Sequence, residues 1–103
     1  MTEQVVPGVI RCLDSYAHSV RWIHFPDSRG MLGSRGFPDF VIAGPRGLLF
    51  RECKPRPDSH LSPSQTAWRW MLLAAGADYA VWTQQDLDDG TIERQIDTLR
   101  SEP

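Results

Sequence analysis

Asp39, Glu52 and Lys54 are residue types that can together hold a divalent cation and act on a water molecule. Carboxylate oxygens are the ligands that Mg²⁺ prefers, and Mg²⁺ keeps several waters that a substrate phosphate can displace. A divalent cation lowers the pKa of a water that it binds, and a neighbouring lysine can orient that water or take its proton. These residues fit metal-assisted hydrolysis of a phosphate ester, provided that the fold brings them together.

A predicted β-hairpin would bring these side chains together. Two apolar runs, residues 37–43 and 48–54, flank the Gly-Pro-Arg-Gly segment 44–47, which is typical of strand, turn and strand. A four-residue loop over 44–47 and a two-residue loop within it give the same register. In that register Asp39 lies directly across from Glu52, with Cβ atoms roughly 4.5–5.5 Å apart on one face.

Lys54 shares the face of Glu52, because side chains alternate along a strand. Asp39, Glu52 and Lys54 should therefore converge at the open end of the hairpin. Two carboxylates at this separation repel each other, and burying them unpaired is costly. Either a divalent cation between them or the neighbouring lysine would offset that repulsion.

The rest of the chain predicts one α/β domain. In chain order we expect a helix over residues 4–19, strands over 20–25, 37–43 and 48–54, a helix over 62–75, a strand over 78–83 and a short final helix over 92–99. The order α-β-β-β-α-β-α is typical of a mixed β-sheet flanked by helices. The whole chain, 1–103, is predicted to be this single domain, because 103 residues with 41% hydrophobic content suit one modest core.

The second predicted helix has a well-marked start. Ser62 suits the N-cap, Pro63 suits the first helical position, and Gln65 completes a capping box with Ser62. The capping box alone can explain why a glutamine occupies position 65. A role of Gln65 in the site is the alternative interpretation.

Charge is distributed unevenly, although the whole chain carries only −2. The window from Arg21 to Arg56 carries seven bases and three acids, a net +4, whereas Asp86 to Glu102 nets −4. Three arginines in the loops beside the hairpin are candidates for phosphate contacts; ordinary solubility is the alternative. They are Arg29, Arg35 and Arg56.

The two cysteines and the lack of long apolar runs predict a soluble, cytoplasmic protein. Cys12 and Cys53 stand 41 residues apart and form no metal-ligand motif, which suits a reducing compartment. No apolar run approaches the roughly 18 residues of a membrane span, and no signal pattern opens the chain. We expect no membrane partner and no nucleotide cofactor.

The spacing of the candidate residues resembles a known nuclease signature. Gly36-Phe37-Pro38-Asp39, twelve further residues and Glu52-Cys53-Lys54 resemble the motif of the PD-(D/E)XK nucleases. Leu61-Ser62-Pro63-Ser64-Gln65 and the segment 76–82 extend the likeness, which over residues 3–86 looks like the VRR-NUC branch. The resemblance implies a restriction-endonuclease-like core and DNA cleavage that depends on Mg²⁺ or Mn²⁺.

The resemblance also implies a role for each residue at the hairpin end. Asp39 and Glu52 would hold the metal together with the backbone carbonyl of Cys53, whose thiol should lie in the core on the opposite face. Lys54 would activate water, and Gln65 would reach the same site. Family members often carry a further glutamate in the first helix, where this sequence offers Glu3, a position made unusual by the Pro-Gly pair that follows it.

Small stand-alone chains of this kind are similar to phage-encoded, dimeric members that act on branched DNA of the Holliday-junction type. By analogy we expect a homodimer, with structured DNA as its substrate. Two alternatives stay open. The first is a nuclease fold that binds DNA or a partner without cutting it, and the second is a structural α/β subunit whose charged hairpin end is ordinary surface.

Overall fold

A four-stranded mixed β-sheet forms the centre of the structure, a computed structural model that describes residues 5–26 and 35–100. The strands lie side by side in chain order: β1 (Arg21–His24), β2 (Phe40–Gly44), β3 (Gly47–Cys53) and β4 (Asp78–Trp82). The first three are antiparallel, and β4 runs parallel to β3. The predicted α/β class with a mixed sheet and flanking helices is therefore confirmed.

Within the described ranges, four helices flank the sheet: α1 (Val5–Asp14), α2 (Pro63–Ala74), α3 (Gln84–Asp88) and α4 (Thr91–Asp97). The structure thus has one helix more than predicted after β4. The first of the two, α3, has no apolar repeat, and its start is marked only by a capping box between Thr83 and Asp86. No helix in the described part of the chain is long and apolar enough to cross a membrane.

The first helix ends at Asp14, five residues before the predicted end. Residues 15–19 form turns, in which Tyr16 N–H bonds the carbonyl of Leu13 only three residues back. The hydroxyl of Ser15 donates to the carbonyl of Cys12 at 2.6 Å. A serine that bonds a nearby carbonyl competes with the regular helical pattern, which is the local reason for the early end.

The hairpin has the predicted register, with the shorter of the two turns. Gly44 pairs with Gly47, so the turn itself is only Pro45 and Arg46, and Phe40 pairs with Arg51. The segment after α4 packs against this turn, because the N–H of Arg46 donates to the carbonyl of Leu99 at 3.1 Å. A Cβ at Gly44 would lie only 2.4 Å from that carbonyl oxygen, so a residue with a side chain would push the two segments apart.

The two faces of the sheet are covered unequally. One face packs against α1, α4 and Leu99 and forms the main core. The opposite face carries Phe50 and receives α2 through an aromatic cluster, in which Phe37 contacts both Phe50 and Trp68 at ring-centroid distances of 6.2 and 4.8 Å. No residue of α2 is buried. The core residues are Val5, Val9, Leu13, Val20, Phe40, Ile42, Leu49, Trp82, Ile92, Ile96 and Leu99.

One arginine of the basic window is part of the interior. Arg51 is only 3% exposed and pairs with Asp78 at 3.0 Å. Its guanidinium also donates to the side chain of Gln95 and lies over the ring of Trp82. Burial lowers the pKa of the Arg51 guanidinium, and the negative charge of Asp78 acts in the opposite direction. This arginine holds the sheet to α4 and adds nothing to the charge of the surface.

Candidate active site

Asp39 lies immediately before β2, at the open end of the hairpin. The register of the two strands, continued by one residue, places it across from Glu52 as predicted. Its Oδ2 accepts a hydrogen bond from the N–H of Cys53 at 2.7 Å, and its backbone carbonyl accepts one from Phe25 at 2.8 Å. These two bonds fix Asp39 between β1 and β3, and Oδ1 takes no part in the bond to Cys53.

Glu52 is buried beside Asp39 and is only 3% exposed. Loss of water raises its pKa to about 8, and the charge of Asp39 and a hydrogen bond to it act in the same direction. The positive charge of Lys54 acts in the opposite direction. The two carboxylates therefore form one coupled pair, in which the buried member resists ionisation while no cation is present.

Gln65 takes part in both the helix cap and the carboxylate pair. Its Oε1 accepts from the N–H of Ser62 at 2.8 Å, while the hydroxyl of Ser62 accepts from the N–H of Gln65. The cap occupies the amide oxygen, so the amide nitrogen is free to donate to Glu52 Oε2, at 3.1 Å. The Gln65 side chain thus takes part in the cap of α2 and contacts Glu52 at the same time, so the two interpretations do not exclude each other.

Lys54 and Cys53 differ in what they offer to the site. Lys54 is half-buried, and among the described residues its ammonium forms no salt bridge. Its charge nevertheless acts on Glu52. The thiol of Cys53 packs against the core, as predicted, and burial raises its pKa. Only the backbone of Cys53 is placed to serve the site.

A cleft of about 680 Å³ lies beside the carboxylate pair. Asp39 and Gln65 line it together with Arg35, so one of the three predicted phosphate-contacting arginines faces this space. Gly36 also lines the cleft and has a left-handed φ of +81°. A Cβ there would lie 2.6 Å from the backbone nitrogen of Gln65, so glycine lets this loop approach the first turn of α2 closely.

Arg56, another of the predicted phosphate contacts, is not brought to the cleft. Arg56 is 75% exposed and pairs with Asp58 at 3.3 Å, and it does not line this cleft. Arg29 and Glu3 lie outside the described residues. Of the basic loop residues, Arg35 alone has a described position that supports the prediction.

The oxygen atoms at the site suit a hard divalent cation, although the protein supplies only a few of them. Asp39 and Glu52 each keep one oxygen that makes no bond to Cys53 or Gln65, and the carbonyl of Cys53 is a further oxygen. Mg²⁺ and Mn²⁺ prefer such oxygen ligands, and Mg²⁺ fills its remaining positions with water. Within residues 5–26 and 35–100, no group of three or more His, Cys, Asp or Glu side chains could hold a metal ion.

In comparisons with protein-family models, with curated proteins and with solved structures, the chain shows no match. We therefore infer the function from the geometry of the site and from the motif resemblance.

One tyrosine near the carboxylate pair is absent from the residues predicted to form the site. Tyr79 lies on β4 opposite Phe50, on the face of the sheet that carries Glu52. Its hydroxyl is buried and makes no hydrogen bond within the described structure. The predicted strand over 78–83 and the alternation of its side chains could have placed Tyr79 on one face with Val81. Nothing in the sequence shows which strand lies beside β4.

Proposed function

We propose that the chain is a divalent-metal-dependent deoxyribonuclease that hydrolyses phosphodiester bonds within structured or branched DNA. The single observation that carries the proposal is the linked cluster of Asp39, Glu52 and Gln65. Asp39 and Gln65 line a cleft together with Arg35, and Glu52 lies behind them. A buried carboxylate pair is costly for folding, and a cation held between its members offsets that cost. The motif resemblance to the VRR-NUC nucleases supports the same function and a restriction-endonuclease-like core.

In this proposal each residue has a defined part. Asp39 and Glu52 hold Mg²⁺ or Mn²⁺ through the oxygens that are not bonded to Cys53 or Gln65, and the carbonyl of Cys53 adds a ligand. The cation, when bound, activates water and stabilises negative charge on the phosphate. Lys54, which forms no described salt bridge, orients the attacking water as an ammonium or, in the neutral amine form, takes its proton.

The substrate follows from the charge near the cleft and from the resemblance. Arg35 on the wall of the cleft offers a charge-assisted contact to a phosphate. A single domain of 103 residues offers little surface for DNA, so we propose a homodimer that presents two sites to a branched molecule. The phage origin suggested by the resemblance and the cytoplasmic location predicted from the sequence belong to the same proposal.

A cleavage assay with matched variants tests the function. Labelled linear, flapped and four-way-junction DNA are incubated with the protein in Mn²⁺, Mg²⁺ or EDTA. We expect cutting that requires a metal and is lost in Asp39→Asn, because Asn lacks the carboxylate charge. Asp14→Asn removes an exposed carboxylate at the end of α1 and should cut like the wild type. Cutting by Asp39→Asn at the wild-type rate would contradict the proposed site.

The alternative is a module that binds DNA without cutting it. The observation in its favour is that the described residues supply only two clustered carboxylates. Such a module would shift the same labelled DNA in a gel at low salt and leave it intact in every metal. That outcome would replace the nuclease with the binding module.

A further inference from the structure

Tyr79 has a hydroxyl for which the described structure offers no partner. The residue is 8% exposed, and its hydroxyl oxygen is out of contact with solvent. Burying a polar group without a hydrogen bond is unfavourable, and a phenylalanine ring would fill this space without that cost. We therefore expect the hydroxyl to have a hydrogen-bond partner other than the described protein groups.

The position of Tyr79 in the sheet points to that partner. It pairs with Phe50 on the neighbouring parallel strand, and Glu52 follows two residues later, so the three side chains share one face. Asp39 and Arg69 are also near enough to act electrostatically on the hydroxyl. Tyr79 thus lies beside the carboxylate pair, under α2.

The hydroxyl is in the donor state that a carboxylate requires. Burial and the charge of Glu52 raise the pKa of Tyr79 to about 12, with Arg69 acting in the opposite direction and Asp39 adding to the rise. The phenol therefore keeps its proton at neutral pH. A carboxylate has about four acceptor positions, and among those of Glu52 the described partners are Gln65 and Asp39.

We propose that Tyr79 is a positioning residue for Glu52, whose carboxylate its hydroxyl holds through one buried water. Water is the natural bridge between polar groups that are near each other but beyond direct hydrogen-bond distance. Together with Gln65, which donates from the other side, Tyr79 fixes the orientation in which Glu52 meets a cation. The inference rests on the proposed metal site.

The first test measures metal binding without DNA. Tyr79→Phe removes only the hydroxyl, and calorimetric titration with Mn²⁺ should show an affinity about 10- to 100-fold weaker than that of the wild type, as is usual when the support of a ligand is lost. Tyr16→Phe is the matched control, because the Tyr16 hydroxyl donates to Asp97 at 3.2 Å, far from this site. Its Mn²⁺ affinity should equal that of the wild type. An unchanged affinity in Tyr79→Phe would overturn the proposal.

If the wild type binds no Mn²⁺, the proposed function fails and a second measurement decides the role of Tyr79. Tyr79→Phe is made in the wild type and in Glu52→Gln, and the midpoint of urea unfolding is compared without metal. A hydroxyl that acts on Glu52 shifts the midpoint by different amounts in the two backgrounds. Equal shifts would show that the tyrosine only packs, and the inference would be wrong.

Discussion

At the scale of single residues, Glu52 is held where its negative charge is unfavourable. It is almost fully buried, it lies beside a second carboxylate, and its described partners besides Asp39 are the Gln65 amide and the charge of Lys54. A side chain in such surroundings destabilises the folded state once it ionises, unless a cation joins it. The stability of the protein should therefore report on the state of Glu52.

We expect the metal-free protein to lose stability as the pH rises from 4.5 to about 8, the interval between the ordinary pKa of glutamate and that of Glu52. In this interval the folded state keeps a proton that the unfolded state has released. The contribution of Glu52 to the free energy of unfolding then falls by roughly 1.4 kcal/mol per pH unit. Urea unfolding in EDTA at several pH values measures this slope.

Glu52→Gln should remove that part of the slope, because the amide does not titrate. Glu93→Gln, which changes an exposed glutamate of α4, should keep the slope of the wild type. If Glu52→Gln and the wild type lose stability equally over this interval, Glu52 does not have the raised pKa on which the expectation depends.

At the scale of the elements, one short helix completes the site. No residue of α2 is buried, and the helix is joined to the sheet by the contact of Trp68 with Phe37 and by the bond from Gln65 to Glu52. The capping box sets the orientation of the Gln65 amide. The first turn of α2 therefore begins the helix and also contributes a side chain to the site.

Gln65→Glu separates these two roles. Glutamate at this position preserves the capping box, but it replaces the N–H donor with a negative charge next to Glu52. We expect cleavage to slow by about tenfold or more, as for other losses of ligand support. Thr83→Ala is the control, because it removes the equivalent cap of α3 and should cost about 1 kcal/mol of stability while α2 keeps its contact. Normal cleavage by Gln65→Glu would limit Gln65 to capping.

The elements also show which features a sequence can predict. The hairpin register and the start of α2 follow from residues that are close in the chain, namely the Gly-Pro turn and the Ser62–Gln65 pair, and both predictions are confirmed. The burial of Arg51 and the position of Tyr79 depend on partners from other elements. Such contacts leave no local pattern, because the sequence does not tell which strand or helix will lie opposite.

At the scale of the whole molecule, the two sides of the sheet differ in how much apolar surface they leave open. Ile23 pairs with Val41, which pairs with Phe50, so Ile23 shares the face that α2 covers only in part. All the large hydrophobic side chains that are exposed within the described residues lie on this side. They are Ile23, Leu48, Trp70, Met71 and Leu73.

The homodimer stays a prediction, and this surface is where we expect the second copy. Trp70 and Met71 line one groove along α2, and such an exposed apolar groove on each of two copies can pack about a two-fold axis. Sedimentation equilibrium should give twice the chain mass of 11.7 kDa. Met71 is 70% exposed, and Met71→Glu should place a charge on this surface. The measured mass should then fall to that of one chain. Ala17→Glu, an exposed change in the turns after α1, should leave the dimer intact. A wild type that sediments as one chain would contradict the prediction.

The bond between Arg46 and Leu99 has a consequence for the order in which the protein forms during synthesis. Asp39, Glu52 and Gln65 are all translated before α3, α4 and Leu99. A nascent chain therefore holds every proposed site residue before α4 exists, the helix that together with α1 covers the core face of the sheet. The hairpin that carries Asp39 and Glu52 lacks support at its turn until Leu99 has been made. We therefore expect the hairpin to gain its full support only after α4 and Leu99 have joined the sheet.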